Sequence, residues 1–544
     1  MSSHQHLHNG PRDVDARSPD DLEGRSWPGP VYLVTWMLDQ VTAHTGLLML
    51  LGIVLYIIHW VKHRRQQQSV FQKLGIPFVP PNLITGSQDL FRKYLAIDIF
   101  DEWISKYGKV FGYYVGWSPT LVVADLDLVQ QILIKDFVHF ANRPKLVIDA
   151  QPVVDTVVGL RDQRWKDVRS ILAPTFSMLK MKHMTGIMNG KVDELLRVIN
   201  ERATTGQPIE WYSTFQGLTL DVISECALAI KSDCQQEQNK NELFRAVRGF
   251  LKNALNPAIL MALYFPSFAK ILSIISNKFA LSGRMTEIVV QNLKKVIAIR
   301  RNDLNVKTVD VLQLMMDSTE TPMANGISSK ESPTANGLTS SIKTRKLLTD
   351  KELIANIWIF LLGGFETTAD ALTYTTYLLA LHPQIQERLY NEVAQVTGGS
   401  DQSLTYEEVS KMTYLEQVFN ESLRLYPPVV TFVIREARQD VHVGNLFIPK
   451  DMSIIIPIWQ IHRDPEHWPN PETFDPERYW PGAPAVSRKP ERYLGSNSVD
   501  NKSLHQTERN LASTAFELLG YEISPCPYAA QVKSLLAPMM PLNP

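Results

Sequence analysis

Apolar residues dominate the chain from Leu353 to Leu381, and Gly363-Gly364-Phe365-Glu366-Thr367-Thr368 interrupts them near the midpoint. Ahead of the run, Thr349-Asp350-Lys351-Glu352 reads as a capping box, with Thr349 as N-cap and Glu352 at N3. Behind it, His382-Pro383 gives a stop, because the residue before proline is pushed out of the helical region. The pattern predicts one helix of about 32 residues, about 48 Å long, enough to cross a whole domain. Two adjacent glycines inside it cost about 1 kcal/mol each against alanine. The acid and two threonines need partners if buried. Either something approaches this backbone closely and uses the Glu–Thr pair, or the segment is a kinked core helix with a satisfied polar step.

A second apolar run lies near the N-terminus. Residues 1–40 form a tail whose first 28 residues are polar, rich in His, Asp, Ser and Arg, and expected to be disordered. Val41 to Val61 is largely apolar, and Gly46 to Ile58 is free of charge. About 20 such residues span a bilayer. Lys62, His63, Arg64 and Arg65 follow at once, and positive charge marks the cytoplasmic side. Residues 41–61 are therefore read as a single transmembrane anchor. Residues 62–82 are read as a basic stop and a stiff hinge, Gly75-Ile76-Pro77-Phe78-Val79-Pro80-Pro81.

The body is mixed. Val110–Val115 and Thr120–Ala124 predict a short β-hairpin around Trp117-Ser118-Pro119. Most of Leu126 to Met316 has helical periodicity. Residues 318–346 are of low complexity and are read as a flexible surface loop.

Charge is balanced, with 55 Lys plus Arg against 56 Asp plus Glu, which argues against a nucleic-acid partner. Three cysteines, Cys226, Cys234 and Cys526, are too few and too scattered for a disulfide framework or a structural zinc site. Downstream, Thr405-Tyr406-Glu407-Glu408 caps another helix, which carries Glu421-Ser422-Leu423-Arg424. Glu421 and Arg424 share a face at i,i+3. The apolar neighbours Val418, Leu423 and Leu425 predict a buried pair. Arg478, in Phe474-Asp475-Pro476-Glu477-Arg478-Tyr479, can join it as a third member.

Taken together, these segments resemble the cytochrome P450 superfamily of haem-thiolate monooxygenases. Gly363–Thr368 is similar to the oxygen-activation motif of the family's long central helix. Glu421-Ser-Leu-Arg424 and Pro476-Glu477-Arg478-Tyr479 are similar to its conserved Glu–Arg–Arg segments. Trp165-Lys-Asp-Val-Arg169 is similar to the helix that touches the haem propionates. The order and spacing agree from the anchor to about Pro481, and the wording is most like the animal microsomal branch that includes drug-metabolising enzymes and thromboxane synthase.

The resemblance implies a mostly α fold with small β-sheets (cytochrome P450-like) over residues 83–481, behind the transmembrane helix. It implies haem b as cofactor. Trp165 and Arg169 would hold a propionate, with Arg435 and Arg143 as further partners, since buried carboxylates need cations. Gly363 and Gly364 would clear space for haem and dioxygen. Thr367 would hydrogen-bond the dioxygen-derived species and Glu366 would help deliver protons. Glu421, Arg424 and Arg478 would be structural. NADPH–cytochrome P450 reductase would supply electrons, O2 would be co-substrate and a lipophilic small molecule the substrate, its pocket lined by residues such as Ile359, Phe360, Phe432 and Ile434. The body would face the cytoplasm on the endoplasmic reticulum membrane.

One departure bears on the chemistry. The iron ligand should come from a Phe-x-x-Gly-x-Arg-x-Cys-x-Gly loop roughly 25 residues after Arg478, whose thiolate drives O–O cleavage. The stretch Leu494 to Gln506 holds no such loop, and no cysteine occurs between Cys234 and Cys526. Cys526 lies in a segment similar to the strand after the ligand helix, and His505 lacks the glycine-rich surroundings, so no metal ligand is assigned. Cys226 and Cys234 read as ordinary buried residues. Residues 482–514 thus form a divergent segment, and the resemblance resumes at Ala515-Phe516-Glu517-Leu518-Leu519 within 515–544. Pro490-Glu491-Arg492-Tyr493 repeats Pro476-Glu477-Arg478-Tyr479. A splice variant, a gene-model error and a decayed paralogue each give this pattern. The functional expectation is a membrane-bound haem monooxygenase, with a catalytically dead or incomplete relative as the alternative.

Overall fold

The computed structural model describes residues 30–87, 96–148, 150–176, 178–228, 230–237, 240–254, 256–302, 310–319, 347–398, 403–430 and 433–480. The divergent segment 482–514, the segment 515–544, Phe432 and nearly all of the low-complexity stretch lie outside them.

Two units divide the chain at Gln66. The first contains most of α1 (Pro30–Gln68), which starts eleven residues before the anchor read from the sequence and continues through the basic stop. Leu47 to Ile58 are exposed along it, and it is long and apolar enough to cross a membrane.

The second unit is built on a long buried helix with helices packed around it and a small sheet. Its helices include α2 (Asp162–Leu172), α3 (Met178–Thr204), α4 (Trp211–Leu228), α5 (Glu242–Lys252), α6 (Pro257–Tyr264), α7 (Ala269–Phe279), α8 (Leu281–Asn302), α9 (Asp350–Leu381), α10 (Pro383–Thr397) and α11 (Thr413–Leu425). The strands are β1 (Val110–Val115), β2 (Ser118–Val123), β3 (Ile434–Glu436), β4 (Val441–Val443), β5 (Leu446–Ile448) and β6 (Ser453–Ile455). One sheet has the order β1-β2-β6-β3, with β2 and β6 parallel and the other pairs antiparallel; β4 and β5 form a separate pair. The hairpin turn falls one residue earlier than predicted, at Gly116-Trp117, where Gly116 takes the positive φ of 58° that a two-residue turn requires.

The proline-rich stretch read as a stiff hinge is held to the sheet. Val79 N donates to Gly112 O at 2.9 Å and Gly112 N to Pro77 O at 2.8 Å. Proline is tolerated there because an edge position leaves its missing N–H unneeded.

The long helix α9 is the 32 residues the sequence predicts, capped at Thr349 by the full capping box. Glu352 serves twice: it caps the helix and takes Nε of Arg164 on α2 at 2.6 Å. Asn356 reaches sideways and accepts from Val157 N at 2.8 Å, which fixes the loop before α2 against the helix. Phe244 and Phe250 of α5 meet Phe365 and Trp358 edge-on at 5.8 and 5.0 Å.

Glu421 and Arg424 are fully buried on α11. Arg424 donates Nε and Nη2 to the two carboxylate oxygens of Glu421, each at 2.8 Å, and Nη1 to His462 O at 2.7 Å. Arg478 Nε adds a bond to Glu421 at 3.2 Å and the Asp475 amide one at 3.0 Å. The network ties the 460–480 segment to α11. Removing one member of a buried pair costs about 3–5 kcal/mol, whereas an exposed pair contributes about 0–1 kcal/mol. Glu421→Ala is therefore expected to lower the guanidinium unfolding free energy by about 3–5 kcal/mol. Arg388→Ala, which breaks the exposed ion pair with Glu477, should leave it within about 1 kcal/mol.

Candidate functional site

Two groups of residues, far apart in sequence, form the candidate site. The first is cationic. Trp165 and Arg169 stand one turn apart on α2, and the Arg169 guanidinium lies 5.1 Å from the Trp165 ring centre. Phe137 packs on Trp165 at 6.2 Å, and the guanidinium of Arg435, from β3, lies 5.9 Å from the Phe137 ring. Arg143 joins through its backbone. Arg161 donates both to Arg143 O and to Glu436, the neighbour of Arg435, and Glu436 N donates to Asn142 O at 2.9 Å. Three of the predicted propionate partners are thus linked by Phe137, and the fourth is tethered to their strand. Phe137, Arg161 and Glu436 carried no motif in the sequence.

Trp165 is buried, and its indole Nε1–H has no hydrogen-bond partner among the described residues. A buried donor left unanswered costs about 1–3 kcal/mol. Set beside arginines, it suits the carboxylate of a bound ligand, so the donor set fits the propionate end of a haem. The iron side differs. Among the described residues the cysteines are Cys226 and Cys234, both buried in the helical core around α4. Burial pushes the Cys226 thiol up to about 12 and raises that of Cys234 too. No thiolate ligand is present among the described residues.

The second group lies on α9. Thr367 Oγ1 donates back to Gly363 O at 2.5 Å and Thr368 Oγ1 to Gly364 O at 2.7 Å, so the hydroxyls are satisfied within the helix. Glu366 turns to α4, where Tyr212 Oη and Gln216 Nε2 donate to its two different oxygens, the latter at 2.8 Å. Burial and the Glu366 charge raise the Tyr212 phenol far above its usual range, which keeps it a donor.

Gly364 packs against α4. A Cβ there would lie 3.1 Å from Ile223 Cδ1 of α4. Its missing side chain serves the close approach of α4 to α9, a helix–helix contact. Of the two glycines, Gly363 shares the face of Thr367, four residues on. Thr219 of α4 uses that closeness and donates its hydroxyl to Phe365 O at 3.0 Å. Among the expected pocket residues, Phe360 is buried in the core, while Ile359 and Ile434 are half-buried.

Asp370, which carries no motif in the sequence, lies half-buried one turn beyond Glu366. Burial, and then the Glu366 charge, push its carboxyl up to about 7.

Known proteins match most of this chain. The family model described as Cytochrome P450 matches residues 77–495. Cytochrome P450 3A56 of Fundulus heteroclitus is 31% identical over 448 residues, covering 81% of this chain and 83% of the relative. Cytochrome P450 3A40 of Oryzias latipes is 32% identical over 418 residues, covering 76% and 78%. Cytochrome P450 3A5 of Homo sapiens is 30% identical over 449 residues, covering 81% and 83%.

Asp370 makes stability depend on pH. The unfolded chain releases its proton near 3.8, the folded chain near about 7. Between those values the folded state holds the extra proton, so stability falls as pH rises through the window. Asp370→Asn removes this dependence. The guanidinium midpoint of the variant should gain on that of the wild type from about pH 4 to about pH 7 and run parallel above it, as measured by circular dichroism.

Proposed function

The chain belongs to the cytochrome P450 family of haem monooxygenases, in its animal 3A-like branch, and we propose that it is a membrane-bound member inserting one oxygen atom of O2 into a lipophilic small molecule. The observation that carries this is the buried, unanswered indole N–H of Trp165 beside the guanidinium of Arg169, in the segment whose spacing matches the family. Haem, when bound, would supply the iron at which dioxygen is reduced and split.

The chain's own residues have separate tasks. Trp165, Arg169, Arg435 and Arg143 would hold the two propionates and set the orientation of the ring. Gly363 would leave its face of α9 open. The Thr367 hydroxyl donates to Gly363 O and keeps its lone pairs free to accept, so it can hand a proton on while receiving another. Glu366 would return protons to it. The loop held by Asn356 would help keep water from the site.

Membrane attachment is supported by the apolar, exposed stretch of α1 and the Lys62–Arg65 stop. In the second unit, Phe268, Ile271, Ile274 and Phe279 at and along α7 are each at least half exposed, an apolar surface suited to lipid. We place the body on the cytoplasmic side of the endoplasmic reticulum, taking electrons from NADPH–cytochrome P450 reductase.

A second reading rests on a specific observation, the absence of any cysteine between Cys234 and Cys526. In it the chain keeps the fold without thiolate-ligated haem and acts as a binding or regulatory protein, or as an inactive product. One experiment separates the two. The full chain is expressed with haem supplied, reduced and treated with carbon monoxide. A thiolate-type Soret band supports the monooxygenase; absence of haem uptake supports the second reading. If haem is taken up, Arg169→Ala and Trp165→Phe should each weaken its retention on gel filtration, the arginine change more.

A further inference from the structure

Helix α1 carries two metal-ligating side chains in register. His59 and His63 lie four residues apart, so they share one face of the helix, one turn above the other. Their imidazole rings are parallel to within 3°, with centres 6.3 Å apart, and both side chains are exposed. Histidines at this spacing on a helix can reach one ion, whereas neighbours one or two residues apart point away from each other. A zinc–nitrogen bond is about 2.0–2.1 Å, so two nitrogens on one ion stand roughly 3 Å apart. The His59 and His63 rings reach that separation by tilting toward each other about their side-chain bonds, and their exposure leaves room for it. The neighbouring residues narrow the choice of ion. Residues 55–67 hold no Asp or Glu, so a hard ion that takes carboxylate oxygens finds none beside the pair. Imidazole suits zinc, copper and nickel. By the 3.6-residue turn, Arg64 and Arg65 fall away from the pair and Lys62 flanks it.

We propose that His59 and His63 form a two-imidazole chelate for a divalent first-row ion, copper(II) or zinc(II), at the end of the apolar stretch of α1. Each imidazole gives a nitrogen lone pair to the ion, and solvent fills its remaining positions. No covalent or redox step is involved. The bound ion staples one helical turn where the apolar stretch gives way to Lys62–Arg65, and it adds positive charge there. Of the two ions, copper(II) should bind the more tightly, as the general order of divalent affinities for nitrogen ligands requires. The site needs no haem, so it stands or falls separately from the monooxygenase reading.

The test uses the full chain, without an affinity tag, in detergent micelles, with copper(II) sulfate as the probe. His4, His6 and His8 would compete for the ion, so the reference protein carries His4→Ala, His6→Ala and His8→Ala. Binding is measured by titration calorimetry. Electron paramagnetic resonance counts the coordinated nitrogens from their hyperfine splitting. The reference should take up one copper through two imidazole nitrogens. In that background His59→Gln and His63→Gln should each weaken the site by at least about tenfold, because a chelate is reduced to a single ligand. Register gives a second check. With His63→Gln in place, Lys62→His puts the pair at i,i+3 and should restore binding, whereas Val61→His puts it at i,i+2 and should not. Both native side chains are exposed, so the far-ultraviolet circular dichroism of the variants should match the reference. A spectrum with one coordinated nitrogen would overturn the proposal. So would single variants that lower the stoichiometry without lowering the affinity, equal rescue at i,i+2, or a reference that binds no more copper than the His59→Gln, His63→Gln double variant.

Discussion

The fold depends on carrying carboxyls and hydroxyls through an apolar core on one helix. A 32-residue helix with Glu366, Thr367, Thr368 and Asp370 near its middle would be unstable among aliphatic side chains alone, because each unanswered polar group costs about 1–3 kcal/mol. The threonines are answered by their own helix. Glu366 is answered by α4, and α4 can reach it because Gly364 gives up its side chain to Ile223. Thr219 of α4 adds a bond to the Phe365 carbonyl. The glycine that weakens the helix locally thus allows the contact that stabilises the polar step, and α4 supplies both side-chain donors to Glu366.

The cationic end answers to a different constraint. Arg143, Arg169 and Arg435 come from three segments and carry like charge, which opposes their convergence. The structure offsets this by spending other charges on the frame. Arg161 is neutralised by Glu436, and Asp162 is held by Asn142 and paired with Arg438. Asp162 accordingly has its carboxyl below the usual range, first because of the Asn142 bond. The Arg169 guanidinium lies over the Trp165 ring, next to that residue's buried N–H donor.

Much of this was legible in the sequence. The capping box at Thr349, the length of α9 and the Glu421–Arg424 pair follow from local spacing, because capping and i,i+3 pairing are set within a few residues. The contact of Gly364 with α4 was not legible, since it depends on Ile223, 141 positions earlier. Asp370 was passed over for the same reason. A single acid in an apolar run carries no sign of which donors face it, and here they face Glu366 instead. The prolines at 77–81 read as a hinge because local stiffness is visible in sequence and pairing with Gly112 is not.

The two halves of the site differ in what they need in order to exist. The acids and hydroxyls of α9 are positioned by α4, and the buried Glu–Arg–Arg network by α11 and the 460–480 segment; every one of these contacts lies within described residues before Trp480. None of them uses a cysteine. The cationic cluster likewise closes on itself through Phe137 and Glu436. The contacts around Glu366 and around Trp165 therefore close among the described residues themselves.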